Sequence, residues 1–150
     1  MRVIAIGKSK KNIWQGVEDE YLKRLKVFVS LEIQILPASR QEFDQKIIFD
    51  EGQRVLEKVG ERDFVVALDM QGESISSDAL AGKIDKWQVG GKNIVFVVGG
   101  TYGLSQLVLE RADFVWKLSG LTFTHDMVRS IVLEQIYRAF MIMKGKSYHH

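Results

Sequence analysis

A chain of 150 residues with 46% hydrophobic side chains is most simply one globular domain with a sizeable core. Its 21 basic and 19 acidic residues leave a net charge of only +2, which neither argues for nor forbids nucleic-acid binding, so any RNA site has to be a local patch. The absence of cysteine excludes disulfides and thiolate metal sites and fits a reducing cytoplasm. The amino terminus, MRVIAIGKSKK, has an apolar run too short for a signal peptide, and no later segment approaches membrane-spanning length.

Taken in order, Arg2–Ile6 reads as a short buried strand ended by Gly7, followed by a basic loop with Lys8, Lys10 and Lys11. An amphipathic helix is predicted from Trp14 to Val29, then a strand from Leu31 to Leu36 closed by the single proline, Pro37. Residues 41–59 read as a helix with Phe43, Ile47, Ile48, Val55 and Leu56 at its apolar positions. Phe64–Asp69 is an almost continuous apolar run, the pattern of a central parallel strand covered on both faces. Gly72 marks a turn, and Ser76 or Ser77 can cap a helix that runs to about Trp87.

A second central strand, Asn93–Val98, runs straight into GGTYGLS. A short helix from Leu104 to Arg111 and a small strand from Phe114 to Leu118 lead to the closing helix. Thr124 stands at its N-cap, Asp126 puts a carboxylate in the first turn, and Gly145 is its natural stop. Met127, Val128, Ile131, Val132, Ile136, Phe140 and Met141 give it a long apolar face, while Ser130, Glu134 and Arg138 form a row on another. The tail KSYHH is too polar for a core, yet carries a phenol and two imidazoles. There is no linker or repeat, and strand alternates with helix throughout: a single α/β domain over residues 1–150 with a mostly parallel sheet.

In such a sheet ligands sit beyond the carboxyl ends of the strands, which singles out the loops Leu68–Gly72, Gly99–Ser105 and Leu118–Phe123. Gly99, Gly100 and Gly103 permit close backbone approach, although GGTYG is equally well a tight strand-to-helix turn. An ordinary dinucleotide site fits poorly, because no acidic residue ends the following strand at the distance needed to hold a ribose.

FVVGGTYGLS, LSGLTFTHDMVRSIVLEQIYRAF and the terminal SYHH, together with LDMQGESISSDALA, resemble the RlmH family, ribosomal large-subunit RNA methyltransferases of the SPOUT superfamily. The resemblance spans essentially the whole chain; Thr124 departs from it, standing where the family often has proline. It implies a SPOUT-type α/β fold with a C-terminal deep trefoil knot, acting as a homodimer. It also implies methyl transfer from S-adenosylmethionine, without a metal, to N3 of a pseudouridine in 23S rRNA of the large subunit or 70S ribosome. In that picture Leu68, Gly99, Gly100, Gly103, Leu118, Ser119, Gly120, Leu121, Thr122 and Phe123 line the cofactor pocket. Arg138 would hold the uracil carbonyls, His149 would act as base or proton relay, and Tyr148 would stack on or hydrogen-bond the base.

Each assignment has a plainer competitor. Arg138 follows Glu134 at i+4 and can form a mere surface ion pair. His125 reads as a cap-region hydrogen bonder, and Trp14, Trp87 and Trp116 as core or interface. A non-catalytic ribosome-binding or assembly factor on the same fold is the alternative function. A tRNA methyltransferase is disfavoured by the lack of an added RNA-binding domain. The long apolar face of the closing helix exceeds what one small sheet would cover, which points to the dimer.

Overall fold

The computed structural model describes residues 1–7 and 13–145. The predicted Lys8, Lys10 and Lys11 loop and the tail residues Tyr148, His149 and His150 therefore lie outside the described residues. In chain order the elements are β1 (Arg2–Gly7), α1 (Gln15–Leu25), β2 (Glu32–Pro37), α2 (Asp44–Leu56) and β3 (Phe64–Ser74). They continue with α3 (Ser77–Val89), β4 (Ile94–Val98), α4 (Gln106–Arg111), β5 (Phe114–Lys117) and α5 (His125–Met143).

The strands form one sheet in the order β2-β1-β4-β3-β5, and every pairing is parallel. Alternation within each strand splits the apolar side chains between two cores. Val3, Ala5, Val66, Phe96 and Val98 face Leu25 of α1, Leu80 and Ile84 of α3, and Val132, Leu133 and Ile136 of α5. Ile4, Ile6, Val65, Val95 and Val97 face Val55 of α2 and Val108 of α4. Helices therefore cover both faces, which is why β3 and β4 read as unbroken hydrophobic runs. Helix α5 packs across α1, α3 and the sheet inside this chain through Val132, Leu133, Ile136 and Phe140, while Met127, Ile131 and Met141 of its apolar face stay half-buried outside that core.

The differences from the sequence reading have local causes. Helix α1 stops at Leu25 rather than Val29 because the amides of Phe28 and Val29 turn back to the Leu25 carbonyl (2.8 and 2.9 Å). That turn stacks Phe28 on Phe140, with ring centroids 5.8 Å apart. Helix α2 begins at Asp44 rather than residue 41, since Ser39 and Gln41 are held in a side-chain-bonded loop. Strand β3 does not turn at Gly72 but continues to Ser74. Both Leu68 and Glu73 pair with Trp116, so the residues between them bulge out of the ladder. Gly72 is required by approach rather than by a turn: a Cβ there would lie 2.5 Å from the Val115 carbonyl oxygen. Ser76, not Ser77, caps α3, its Oγ accepting from the Ala79 amide at 3.2 Å. Thr124 occupies the N-cap position of α5 without a side-chain cap bond, and Gly145 ends that helix at φ +63°.

The amino-terminal edge of the sheet is tied by charge. Asp63 accepts from the Arg2 guanidinium (2.6 Å), the Gly60 amide (2.8 Å) and the Asn93 side chain (3.1 Å), joining β1, β3 and β4. Desolvation raises its carboxyl, but the Gly60, Asn93 and Arg2 hydrogen bonds and the Arg2 charge outweigh it, so the carboxyl lies below its ordinary value. The stabilisation is present above the unfolded value near 4 and is lost as pH falls through the lower folded one. We predict that Asp63→Asn costs about 2 kcal/mol at pH 7. In urea titrations the gap from wild type should narrow as the pH is taken well below 4.

Candidate functional site

Parallel pairing sends the ends of β3, β4 and β5 to the same edge, and their loops enclose a cleft of about 270 Å³. That is near the lower end for small-molecule sites. The bulge of β3 supplies Leu68, Asp69 and Met70; the turn after β4 supplies Gly99, Gly100, Thr101 and Gly103. The segment after β5 supplies Leu118, Ser119, Leu121, Thr122 and Phe123, and the start of α5 adds His125 and Val128. Of the ten pocket residues expected from the sequence, all but Gly120 line this cleft.

Local geometry fixes each wall. The Gly103 amide donates to the Gly100 carbonyl (3.2 Å) with Gly103 at φ +84°, a left-handed conformation that favours glycine. A Cβ on Gly99 would lie 2.7 Å from the Gly103 carbonyl group, so the turn closes only on glycine. At Gly100 the glycine is needed for a different reason from close ligand approach. Its Cβ would point to Glu51 Oε2 (2.7 Å) and Ile6 Cγ2 (3.0 Å), inside the protein. GGTYG is thus both the tight turn and the cleft wall. The Leu121 amide donates to Ser119 Oγ (3.0 Å), and the Gln71 amide to Asp69 Oδ1 (2.9 Å), shaping the other two loops.

Among the described residues the lining holds one carboxylate, Asp69, and one imidazole, His125, with no lysine or arginine. Leu68, Val98, Trp116, Leu118 and Val128 provide apolar walls. Such a surface suits a flat apolar ligand with hydrogen-bonding edges, and a cationic group needs no basic side chain from the protein. Among the described residues no cluster of three metal-ligating side chains occurs.

His125 was assigned to the cap region, yet it faces the cleft from the first turn of α5. Its Nε2 lies 3.5 Å from Asp126 Oδ1, and Gly7 leaves just enough room for its ring, 3.2 Å from a Cβ position. Behind it sits Arg129, 1% exposed, which periodicity did not reveal. Arg129 Nε donates to Glu18 Oε1 of α1 (2.9 Å), and Nη1 lies 2.8 Å from Asp126 Oδ1. Burial raises the Glu18 carboxyl, against the charge and hydrogen bond of Arg129 that lower it.

Arg138 is not brought to the cleft. It lies thirteen residues after His125 on the same helix, a rise of about 20 Å. Its Nε and Nη2 both donate to Glu134 Oε1 (3.0 and 2.6 Å), the i+4 pair that the sequence offered as the plainer reading. Trp116 is core as well as cleft wall, and Trp87 stacks on Phe64 at 4.7 Å. Trp14 is half-buried.

Comparison with known proteins settles the family. Residues 1–149 match the family described as "Predicted SPOUT methyltransferase". The chain belongs to the SPOUT methyltransferases. Relatives in this family include the ribosomal RNA large subunit methyltransferase H of Halothermothrix orenii, 38% identical over 99% of this chain and 98% of that protein. The protein of the same name from Streptococcus agalactiae is 39% identical with the same coverage. Solved structures of low identity share the fold. A probable methylase family protein from Haemophilus influenzae superposes with a TM-score of 0.55 at 16% identity, over 99% of this chain and 70% of that one. The tRNA (m1G37) methyltransferase of Aquifex aeolicus gives 0.52 at 15% identity, over 92% and 69%.

Removing one partner of a buried ion pair strands the other. We predict that Arg129→Met destabilises the fold by about 3 kcal/mol. Adding Glu18→Met should restore more than half of the loss in chemical denaturation.

Proposed function

We propose that this SPOUT protein transfers a methyl group from S-adenosylmethionine to N3 of a pseudouridine in 23S rRNA, acting as a cytoplasmic homodimer on the assembled large subunit or 70S ribosome. The observation that carries the reading is the glycine-turned cleft at the carboxyl edge of the parallel sheet, its described lining free of lysine and arginine. The names of the full-length relatives support the rRNA substrate class. The resemblance to the RlmH family supports the acceptor atom, the dimer and a C-terminal trefoil knot. No described helix is long and apolar enough to cross a membrane.

The donor fits the residues present. Leu68, Leu118, Leu121 and Val98 offer apolar contact to an adenine, and the backbone of Gly99–Gly103 and 118–123 offers hydrogen bonds to its edges. When bound, S-adenosylmethionine supplies an electrophilic methyl on a sulfonium. The protein's task is then to hold the acceptor nitrogen in line with it, to remove the imide proton and to stabilise the charge left on the ring. We assign Arg138 to the uracil carbonyls, His149 to proton removal and Tyr148 to the base itself.

Val128 is the cleft residue nearest to Arg138 on α5, ten residues or about 15 Å away along the helix, and the assignment has Arg138 serve the cleft of the second copy. The proposed dimer thus enters the chemistry of the reading, beside the half-buried Met127, Ile131 and Met141 of α5. Glu134, which accepts both Arg138 bonds, would orient the guanidinium when the acceptor arrives.

Two variants test the parts separately. Thr122 is an exposed cleft residue outside any strand or helix. Thr122→Trp should leave the melting curve unchanged and weaken S-adenosylmethionine binding at least about tenfold by filling the cleft. Unchanged calorimetric affinity would remove this cleft from the cofactor site. Arg138→Ala should bind the donor normally yet lower methyl transfer to ribosomes by about a hundredfold or more, read by mass spectrometry of 23S rRNA. Wild-type transfer rates would leave Arg138 as an ion-pair partner only.

A further inference from the structure

The turn that walls the cleft has a carboxylate behind it that the proposed chemistry leaves idle. Glu51, in the third turn of α2, is 4% exposed. Its Oε1 accepts the Ser39 amide at 2.9 Å. Its Oε2 is buried with no hydrogen-bond partner among the described residues and lies where a Cβ on Gly100 would be 2.7 Å away. The cation nearest in sequence, Arg54, is committed to Asp50 (2.7 Å) and the Pro37 carbonyl (2.7 Å). A buried carboxylate held by one backbone amide is expensive unless something else compensates its charge. On the other side of Gly100 is the cleft.

We propose that Glu51 is a specificity-determining residue of the cleft, its buried charge favouring a cationic ligand across the Gly100 backbone. The inference rests on the reading of the cleft as the S-adenosylmethionine site. There the intact donor carries a sulfonium, while the spent donor, S-adenosylhomocysteine, carries a neutral thioether of nearly the same shape. Neutral walls cannot tell the two apart; a fixed charge can. Asp69 also faces the cleft, but its setting is wetter, where solvent and salt weaken it. Glu51 acts through one peptide layer of low dielectric, which preserves its field. Discrimination of about tenfold is the expected scale for one charge across such a layer. The consequence is directional: the cleft holds the loaded donor and lets the spent one leave.

Calorimetry on the intact protein tests this with three ligands: S-adenosylmethionine, S-adenosylhomocysteine, and sinefungin, which carries an amine-bearing carbon in place of the sulfur. Glu51→Gln retains an acceptor for the Ser39 amide and removes the charge. It should weaken S-adenosylmethionine and sinefungin about tenfold and leave S-adenosylhomocysteine within twofold, so that the neutral ligand reports whether the cleft is still formed. Equal losses for all three ligands would make Glu51 a structural support only, and no change for any would remove it from the cleft's electrostatics; either overturns the proposal. A second measurement needs no variant. The wild-type ratio of the two affinities should hold within twofold from low salt to 1 M sodium chloride. A ratio that collapses toward unity would assign the discrimination to the half-buried Asp69 and overturn the role of Glu51. A wild-type protein that binds none of the three would overturn the cofactor reading itself, and this inference with it.

Discussion

The structure depends on parallel pairing around β4, which lies between β1 and β3 although β2 and α2 intervene in the chain. Parallel neighbours need crossovers, and the crossover helices must cover both faces of so short a sheet. Two apolar cores follow directly, one under α1, α3 and α5, the other under α2 and α4. The same constraint gives the sheet two unlike edges. At the amino edge, Asp63, Arg2, Asn93, Arg111 and Asp113 tie strand starts together with charged hydrogen bonds. At the carboxyl edge the loops carry glycine, serine and threonine, and a cleft remains.

Helix α5 links that edge to the rest of the molecule. Its first turn contributes His125 to the cleft, while Arg129, held by Asp126 on the same helix, reaches the α1 residue Glu18 beneath it. A buried ion pair of this kind adds little net stability compared with apolar packing, but it accepts only one relative placement of the two helices. Further along, Ser77 Oγ donates to Gln135 Oε1 (2.7 Å), holding α5 to α3. The helix is thereby fixed at its start and middle, and Arg138 is carried far from the cleft that its own helix begins. The proposed role of Arg138 at the target base therefore goes with the proposed second copy.

Much of this was legible in the sequence, for identifiable reasons. A strand covered on both faces must be apolar at every position, so β3 and β4 announced themselves. A turn that closes on its own backbone must be glycine, so GGTYG marked a strand end, and strand ends in parallel sheets mark sites. Gly72 was misread because a glycine required by close approach of β5 looks the same as one required by a turn. Arg129 and Glu18 were invisible because their pairing joins residues 111 positions apart, and helical periodicity reports which face is covered, not whether a buried cation has an anion on another element. His125 reads from the sequence as a cap-region residue, and its place in the cleft is not local information. Glu51 showed only as one polar position in an amphipathic helix, and nothing local marks a carboxylate that ends against Gly100.

The claim at the centre of this account is that the three carboxyl-edge loops form the methyl-donor site. The most direct measurement is a crystal structure of the protein with S-adenosylmethionine. The account predicts the adenine between Leu68, Leu118 and Leu121, with its edges bonded to the backbone of Gly99–Gly103 and residues 118–123. Ligand density on another face of the sheet, with this cleft empty, would contradict it.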